Sequence, residues 1–457
     1  MNIDKASEEV AQLLSSDKFG IFVGAGLSKP AGLPEWKQLV APYAKELGLD
    51  VNKENPLRIM QYFAANNQAN LSRLKERLRI MVKKAKVQPT HRLLARMRLP
   101  RIWTTNYDEL LETAYRDEGQ KPEVISTDDQ LSNASYLLPQ IIKMHGDLTM
   151  SSIILLEEDY ELYELTRHNI LALFQQDFRS CSMLFLGVSF DDPNLRKVAA
   201  SLRITDGRLH PHYLLTARSS RFINKHERRI YSLWKKDLAR FNVTVIELRS
   251  FDEIESFLLR LIKYVFGTEV VILGSFRNDS YNLLCKKLGE ELARKDFNIY
   301  SGGGQYAGTV VAEGAWEHFK KRGIKPYEKI EFIFREGGGS SNPQKGRITY
   351  IGEDLDEMRK HLISSDRICI VLGGGEGTKT EVTIARYKGC PVVPVGITGG
   401  TAQKVWEEER YRYQKDRDFK SMQSTFKLLN KINVKLPKII NATIKLVDFL
   451  SHRRISL

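Results

Sequence analysis

Phe19-Gly20-Ile21-Phe22-Val23 runs directly into Gly24-Ala25-Gly26-Leu27-Ser28. The first five residues are short and mostly apolar, which reads as a buried strand, and the glycines mark a tight turn before a helix start. Such a junction turns backbone N–H groups and the positive end of a helix dipole toward one place, which suits a phosphate. Gly-Ala-Gly alone is equally compatible with an ordinary turn. A full Gly-x-Gly-x-x-Gly is missing, which argues against a dehydrogenase-type dinucleotide site.

Working outward, apolar strands alternate with helical stretches along the whole chain, the pattern of an α/β protein with parallel sheets. Strands are expected at Phe19–Val23, Arg101–Thr105, Ile141–Met144, Ser182–Val188, His212–Thr216 and Val243–Leu248. A second series is expected at Val270–Leu273, Asn298–Ser301, Ile330–Phe334, Arg347–Ile351, Ile368–Leu372 and Val392–Val395. The helical pattern of Ile254–Ile262 stops before Gly267, and a new strand opens after it, so the break is placed at Tyr264–Thr268. The expectation is two Rossmann-like domains, 1–264 and 268–457.

The 457 residues suit two or three domains, and 42% hydrophobic with 28% charged residues excludes disordered and collagen-like classes. No apolar run reaches the roughly 18–20 residues that span a bilayer, and Met1-Asn2-Ile3-Asp4-Lys5 does not open a secretory signal, so a cytoplasmic protein is expected. Four cysteines, Cys181, Cys285, Cys369 and Cys390, form no Cys-x-x-Cys pair, which argues for a reducing compartment and against a structural zinc site. The net charge of +14 favours polyanions, either nucleic acid or phosphorylated small ligands. Basic residues are spread along helix faces with no zinc-finger or RNP spacing, so nucleic acid is the lesser option.

Three further segments accompany the glycine turn. Gly32-Leu33-Pro34-Glu35-Trp36 follows it closely, while Thr104-Thr105-Asn106-Tyr107-Asp108 and Lys143-Met144-His145-Gly146-Asp147 fall at strand ends, where α/β folds place ligand residues. With Phe185-Leu186-Gly187-Val188-Ser189, these resemble, in order, the motifs of the sirtuin family over about residues 1–260. The resemblance implies that Gly24, Ala25, Gly26 and Ser28 hold the phosphates of NAD, and that Gly187 and Ser189 hold the adenosine ribose. It also implies that Asn106 orients the ribose or an attacking water, Asp108 binds the nicotinamide amide, and His145 acts as base. Read as residues alone, Asn106 is also a turn former and Asp108 a cap for the helix beginning at Glu109. Phe190-Asp191-Asp192-Pro193-Asn194 resembles a feature of bacterial sirtuin-like defence proteins and reads equally as an ordinary helix entry. Departures matter as well: no four-cysteine zinc module can form, and Glu35-Trp36-Lys37 stands where sirtuin deacetylases carry an arginine. These put acyl-lysine binding in doubt and leave NAD cleavage by water, with no metal.

The second half repeats the glycine design at three strand ends: Gly274-Ser275, Gly302-Gly303-Gly304 and Gly373-Gly374-Gly375-Glu376-Gly377-Thr378. Together with Glu381, these segments resemble the SLOG superfamily of nucleotide-sensing domains. Gly274, Ser275, Gly302, Gly303, Gly374, Gly375, Glu381 and Arg359 are the candidate ligand residues. Arg359 is read as lying on an apolar stripe with Leu355 and Leu362, Glu381 as opening a helix, and Lys345, Arg347 and Lys388 as surface charges.

A sirtuin-like half followed by a SLOG half is similar to the Thoeris antiphage defence effectors. The resemblance implies an NAD hydrolase activated when a cyclic ADP-ribose isomer binds the second half. A TIR-domain enzyme would supply the signal, and self-association as a tetramer or filament is implied. The rivals are an NAD-dependent protein deacylase and a non-catalytic nucleotide-binding regulator. Peptide-dependent acetyl-ADP-ribose release would favour the first, and salt-sensitive DNA binding without NAD loss the second.

Overall fold

The computed structural model describes residues 3–14, 18–148, 153–190, 192–206, 210–217, 224–337, 345–365 and 367–451. It divides into two compact units, Met1–Arg116 with Lys121–Leu261, and Asp117–Gln120 with Ile262–Leu457.

The sheet of the first unit contains β1 (Phe19–Val23), β2 (Arg101–Thr104), β3 (Glu123–Ile125), β4 (Gln140–Lys143), β5 (Ser182–Leu186), β6 (His212–Ala217) and β7 (Val243–Leu248). Their order is β3-β4-β2-β1-β5-β6-β7, and every pairing is parallel. Strands buried on both faces need continuous apolar runs, and β1 and β5 are buried at all five positions. Phe22, Trp103, Phe174, Phe178, Phe185 and Phe190 form the aromatic centre of the core on one side. A separate cluster fixes the helices Trp36–Glu46, Pro56–Asn66 and Gln68–Lys84 through Val40, Tyr43, Phe63 and Leu74, packed with Leu148 and Leu155. The expected strands are present with ends shifted by a residue or two. The sequence reading missed β3, a three-residue strand at the sheet edge.

In the second unit, β8 (Glu269–Leu273), β9 (Asn298–Ser301), β10 (Ile330–Phe334), β11 (Arg347–Tyr350), β12 (Ile368–Val371) and β13 (Val392–Pro394) pair in the order β11-β10-β9-β8-β12-β13, again all parallel. In both sheets the first strand of the unit lies centrally, with later strands added on its two sides. That reversal opens a crevice at the carboxyl ends of the central strands, where α/β proteins bind ligands. In the first unit it lies beyond β1, between β2 and β5. In the second it lies beyond β8, between β9 and β12.

Among the described residues, no helix is long and apolar enough to cross a membrane, and no group of three or more His, Cys, Asp or Glu could hold a metal ion.

Candidate functional site

The glycine turn after β1 is a 3-10 helix, Ala25–Ala31, closed by Gly32 at φ +88°. Two of its amides are already used. Gly24 N–H donates to the Leu186 carbonyl at 2.8 Å and Gly26 N–H to the Gly187 carbonyl at 3.0 Å, which straps this turn to the one after β5. Gly187 holds φ +66°, and a Cβ there would overlap the Leu27 amide. A side chain at Gly24 would stand 2.5 Å from the Gly187 carbonyl oxygen. These glycines therefore let two backbones meet, leaving Ala25 and Ser189 exposed at the rim.

Beneath the turn lies a buried polar chain. Asn106 Nδ2 donates to the Gly24 carbonyl at 3.2 Å and to Ser28 Oγ at 3.0 Å, and Ser28 Oγ donates to Asp108 Oδ2 at 2.8 Å. Asp108 Oδ1 accepts the Leu110 N–H at 3.1 Å, so the carboxylate both caps the following helix and anchors Ser28. Thr104 Oγ1 accepts the Asn106 N–H at 3.0 Å and fixes its backbone. One atom is left over: Asn106 Oδ1 is buried and has no hydrogen-bond partner. Fixed in this way, it is an acceptor in need of a donor, which a ribose hydroxyl or a water would supply.

His145 follows β4, is 7% exposed, and is held through its carbonyl by the Ile154 N–H at 2.9 Å. Its Nε2 lies 3.0 Å from Asp192 Oδ2 and 3.4 Å from the Tyr160 hydroxyl, which itself donates to Asp192 Oδ2 at 3.3 Å. Asp192 also accepts the Leu195 N–H through Oδ1 at 3.0 Å. The helix-cap reading of Asp192 is thus right and incomplete. Burial pushes the Asp192 carboxyl up, but the His145 ring, the Leu195 N–H and the Tyr160 hydroxyl together hold it below the ordinary value. Burial, then Asp192, keeps the Tyr160 phenol neutral.

Lys143, fully buried, ties the two loops together: its ammonium reaches Glu112 at 2.7 Å, Asp147 at 2.8 Å and the Asp108 carbonyl at 2.8 Å. Burial opposes its charge, and the two carboxylates outweigh it, so Lys143 is held protonated. His91, which the sequence reading passed over, lies close enough to Asp108 to feel its charge. Its Nδ1 accepts the Gln88 N–H at 3.1 Å, which leaves the proton on Nε2, and Nε2 is buried without a partner. Burial drives the His91 pKa down to about 4, against the pull of Asp108, so it is a neutral donor near that carboxylate. It lies in the first turn of the helix Pro89–Arg96.

In the second unit the three glycine turns converge beyond β8, β9 and β12. Gly374 N–H donates to the Ser275 carbonyl at 3.0 Å, Gly373 N–H to Thr398 Oγ1 at 2.8 Å, and Gly303 N–H to Ser301 Oγ at 3.1 Å. Gly274 sits at φ +114°, where a Cβ would overlap the Leu372 carbonyl. Gly302 and Gly303 follow β9, while Ser275 and Gly375 are exposed, and a Cβ at Gly375 would meet nothing within 4 Å. Arg359 crosses toward this opening: its Nη2 would lie 3.4 Å from a Cβ on Gly377, and its Nε is buried without a partner. Glu381 lies one turn inside the helix Glu376–Tyr387 rather than at its start, and burial raises its pKa to about 7 although Arg359 draws it down.

Two further expectations are corrected. Leu355 is 47% exposed, and the buried face of the helix Leu355–Leu362 is Met358, His361 and Leu362. Lys388 is no surface charge: it is 1% exposed and donates to the Lys360 carbonyl at 2.6 Å. Lys345 and Arg347 do sit on ion pairs, with Glu313 and Glu331.

Residues 100–241 match the SIR2-like domain, and residues 251–450 match the Sir2- and TIR-associating SLOG family. The chain is 32% identical over 464 residues to the NAD(+) hydrolase ThsA of Bacillus cereus (strain MSX-D12), covering 94% of this chain and 95% of that protein. It is 29% identical over 438 residues to the NAD(+) hydrolase ThsA of Acinetobacter baumannii (strain 532279), covering 88% and 89%. It is 29% identical over 208 residues to Defense-associated sirtuin 2 of Bacillus subtilis, covering 42% of this chain and 20% of that protein.

Proposed function

The chain belongs to the ThsA NAD(+) hydrolase family, and from that premise we propose that its first unit cleaves NAD to nicotinamide and ADP-ribose, and that a cyclic ADP-ribose isomer bound in its second unit switches the reaction on. A role in defence, with a nucleotide signal read by the SLOG half, goes with that membership.

The observation that carries the hydrolytic reading is the unpaired, buried Asn106 Oδ1. Cleavage of the nicotinamide–ribose bond passes through an oxocarbenium-like state at the ribose carbon, so the site has to hold the ribose and admit one oriented nucleophile. Asn106 would accept a hydrogen bond from a ribose hydroxyl or the attacking water. Asp108 would take the nicotinamide amide N–H, and the His91 Nε2–H has the complementary polarity for the amide oxygen. His145 would remove the proton from water. The glycine turns at Gly24–Ser28 and Gly187–Ser189 would seat the diphosphate and adenosine ribose. In the second unit, Arg359 meets the activator's phosphates, Glu381 its hydroxyls, and Gly274, Ser275, Gly302, Gly303, Gly374 and Gly375 offer it close backbone approach. A TIR-domain enzyme as the source of that signal, and a homo-oligomeric active form, complete the reading.

The experiment is NAD consumption by the full-length chain, following nicotinamide and ADP-ribose, with and without a panel of cyclic ADP-ribose isomers. Asn106→Ala and His145→Ala are expected to abolish turnover, and Arg359→Ala and Glu381→Ala to remove activation only. If Glu381→Ala ended fully activated turnover while His145→Ala did not, the chemistry would belong to the second unit.

A further inference from the structure

The His145 ring is not left to choose its own proton position. Its Nε2 faces Asp192 Oδ2 at 3.0 Å, and that carboxylate is fixed at both ends: Leu195 N–H donates to Oδ1 at 3.0 Å, and the Tyr160 hydroxyl donates to Oδ2 at 3.3 Å. An acceptor held in that place requires a hydrogen on Nε2. Among the described residues, Nδ1 is then the ring nitrogen with no hydrogen-bond partner. The pair is secluded, with side chains 9% and 17% exposed, so a charge appearing on the ring meets the carboxylate with little water between them.

We infer that Asp192 is a positioning residue for hydrolysis, holding His145 as the Nε2–H tautomer so that Nδ1 takes the proton of the attacking water. The inference rests on the reading of His145 as the base. In the step, the C1′–N bond breaks and its electron pair leaves with neutral nicotinamide. The water oxygen bonds to C1′, its proton passes to Nδ1, and the imidazolium stands beside the Asp192 carboxylate until solvent removes the proton. NAD and water thus give ADP-ribose, nicotinamide and one proton.

The Leu195 N–H makes the substitution informative. In Asp192→Asn, the amide oxygen keeps its place on that N–H, so the NH2 group faces His145 and donates to Nε2. The ring is then driven to the Nδ1–H tautomer, which cannot accept at Nδ1. The expected result is a kcat lower by roughly 10²–10⁴-fold with KM for NAD unchanged. In histidine-selective 15N spectra of the full-length chain, the proton of His145 moves from Nε2 to Nδ1, the assignment coming from loss of its signals in His145→Ala. Asp192→Glu, which keeps an acceptor facing Nε2, retains the native tautomer and recovers part of the turnover. An Asp192→Asn chain with native kcat, or loss in both Asp192 variants with the native tautomer retained, overturns the inference while inactive His145→Ala leaves the base in place. If His145→Ala itself turned over normally, the base assignment would fall and this inference with it.

Discussion

Ser28 and Asp108, eighty residues apart in the chain, are joined by a 2.8 Å hydrogen bond in which the serine hydroxyl donates to Oδ2, and the same hydroxyl accepts from Asn106 Nδ2. The serine is thus the link that orients the asparagine amide against the carboxylate. Ser28→Ala leaves Asn106 with the Gly24 carbonyl as its remaining amide anchor and Asp108 Oδ2 without that donor. A misplacement of about 1 Å in a reacting group costs on the order of 10²-fold. The expected outcome is a fall in kcat of about 10–100-fold in steady-state NAD hydrolysis, with a stability loss of about 1–3 kcal/mol by denaturant titration.

Gly187 and Gly32 make a controlled pair. Both have positive φ, +66° and +88°, but a Cβ on Gly187 would overlap the Leu27 amide, whereas one on Gly32 would meet nothing within 4 Å. Alanine at Gly32 carries only the left-handed backbone cost of about 1–2 kcal/mol, and hydrolysis is expected to persist. Alanine at Gly187 has to push the Gly24–Ser28 turn off β5 as well. Gly187→Ala is therefore expected to lose NAD turnover and to melt lower than Gly32→Ala, which paired activity and melting measurements check.

The strands were legible because both sheets are parallel and buried on two faces, which forces runs such as Ile21-Phe22-Val23 and Val270-Val271-Ile272-Leu273. Glu123-Val124-Ile125 escaped because a three-residue edge strand needs no such run. At the site, the glycine turns and the strand-end residues Asn106, Asp108 and His145 stand out because chemistry sits where strands end. Their connections do not stand out. Asp192 satisfies the local rule for a helix cap with one oxygen, so its second oxygen on His145 leaves no trace in sequence spacing. His91 and Lys143 are hidden for a similar reason: a charge or imidazole in a helix start or strand looks like surface until the fold buries it. Gly24 and Gly26 show the converse, since their amides, expected to face a phosphate, are bonded to β5 and its turn.

Arg367 fixes the end of the helix that carries Arg359. It is 1% exposed, its Nε lies 2.8 Å from Glu269 Oε2, its guanidinium lies 3.5 Å from the Tyr300 ring centroid, and Nη1 donates to the His361 and Leu362 carbonyls at 3.0 and 2.7 Å. Those carbonyls end the helix that carries Arg359. Arg367→Met takes the guanidinium from the buried Glu269 carboxylate, which keeps the Tyr300 hydroxyl at 3.0 Å, and is expected to cost about 3–5 kcal/mol. On the proposed role of Arg359, activation is expected to fall with it, because the helix end that carries Arg359 is loosened. Adding Glu269→Gln removes that buried charge, so the double variant is expected to recover much of the stability. Denaturant titration of the single and double variants reads this directly.

Glu381 gives the second unit a pH dependence whose sign follows from burial. Its folded-state pKa is about 7, above the ordinary 4.5, because burial disfavours the carboxylate more than Arg359 favours it. An acid with a raised folded pKa binds its proton more tightly in the folded chain. Its contribution to stability is therefore fully present below pH 4.5 and is lost as pH rises through 7, by at most ~3 kcal/mol. Glu381→Gln removes the ionisation. The variant is expected to melt above the unaltered chain at pH 8 and level with it near pH 5. On the proposed role of Glu381, activation is expected to move the other way, because a carboxylate accepts hydroxyl hydrogen bonds more strongly than its acid form. The concentration of activator needed for half-maximal NAD loss is expected to fall between pH 6 and pH 8 in the unaltered chain, and to stay flat in Glu381→Gln. Opposite slopes for melting and for activation, both absent in the one variant, would tie the buried carboxylate to ligand reading rather than to packing alone.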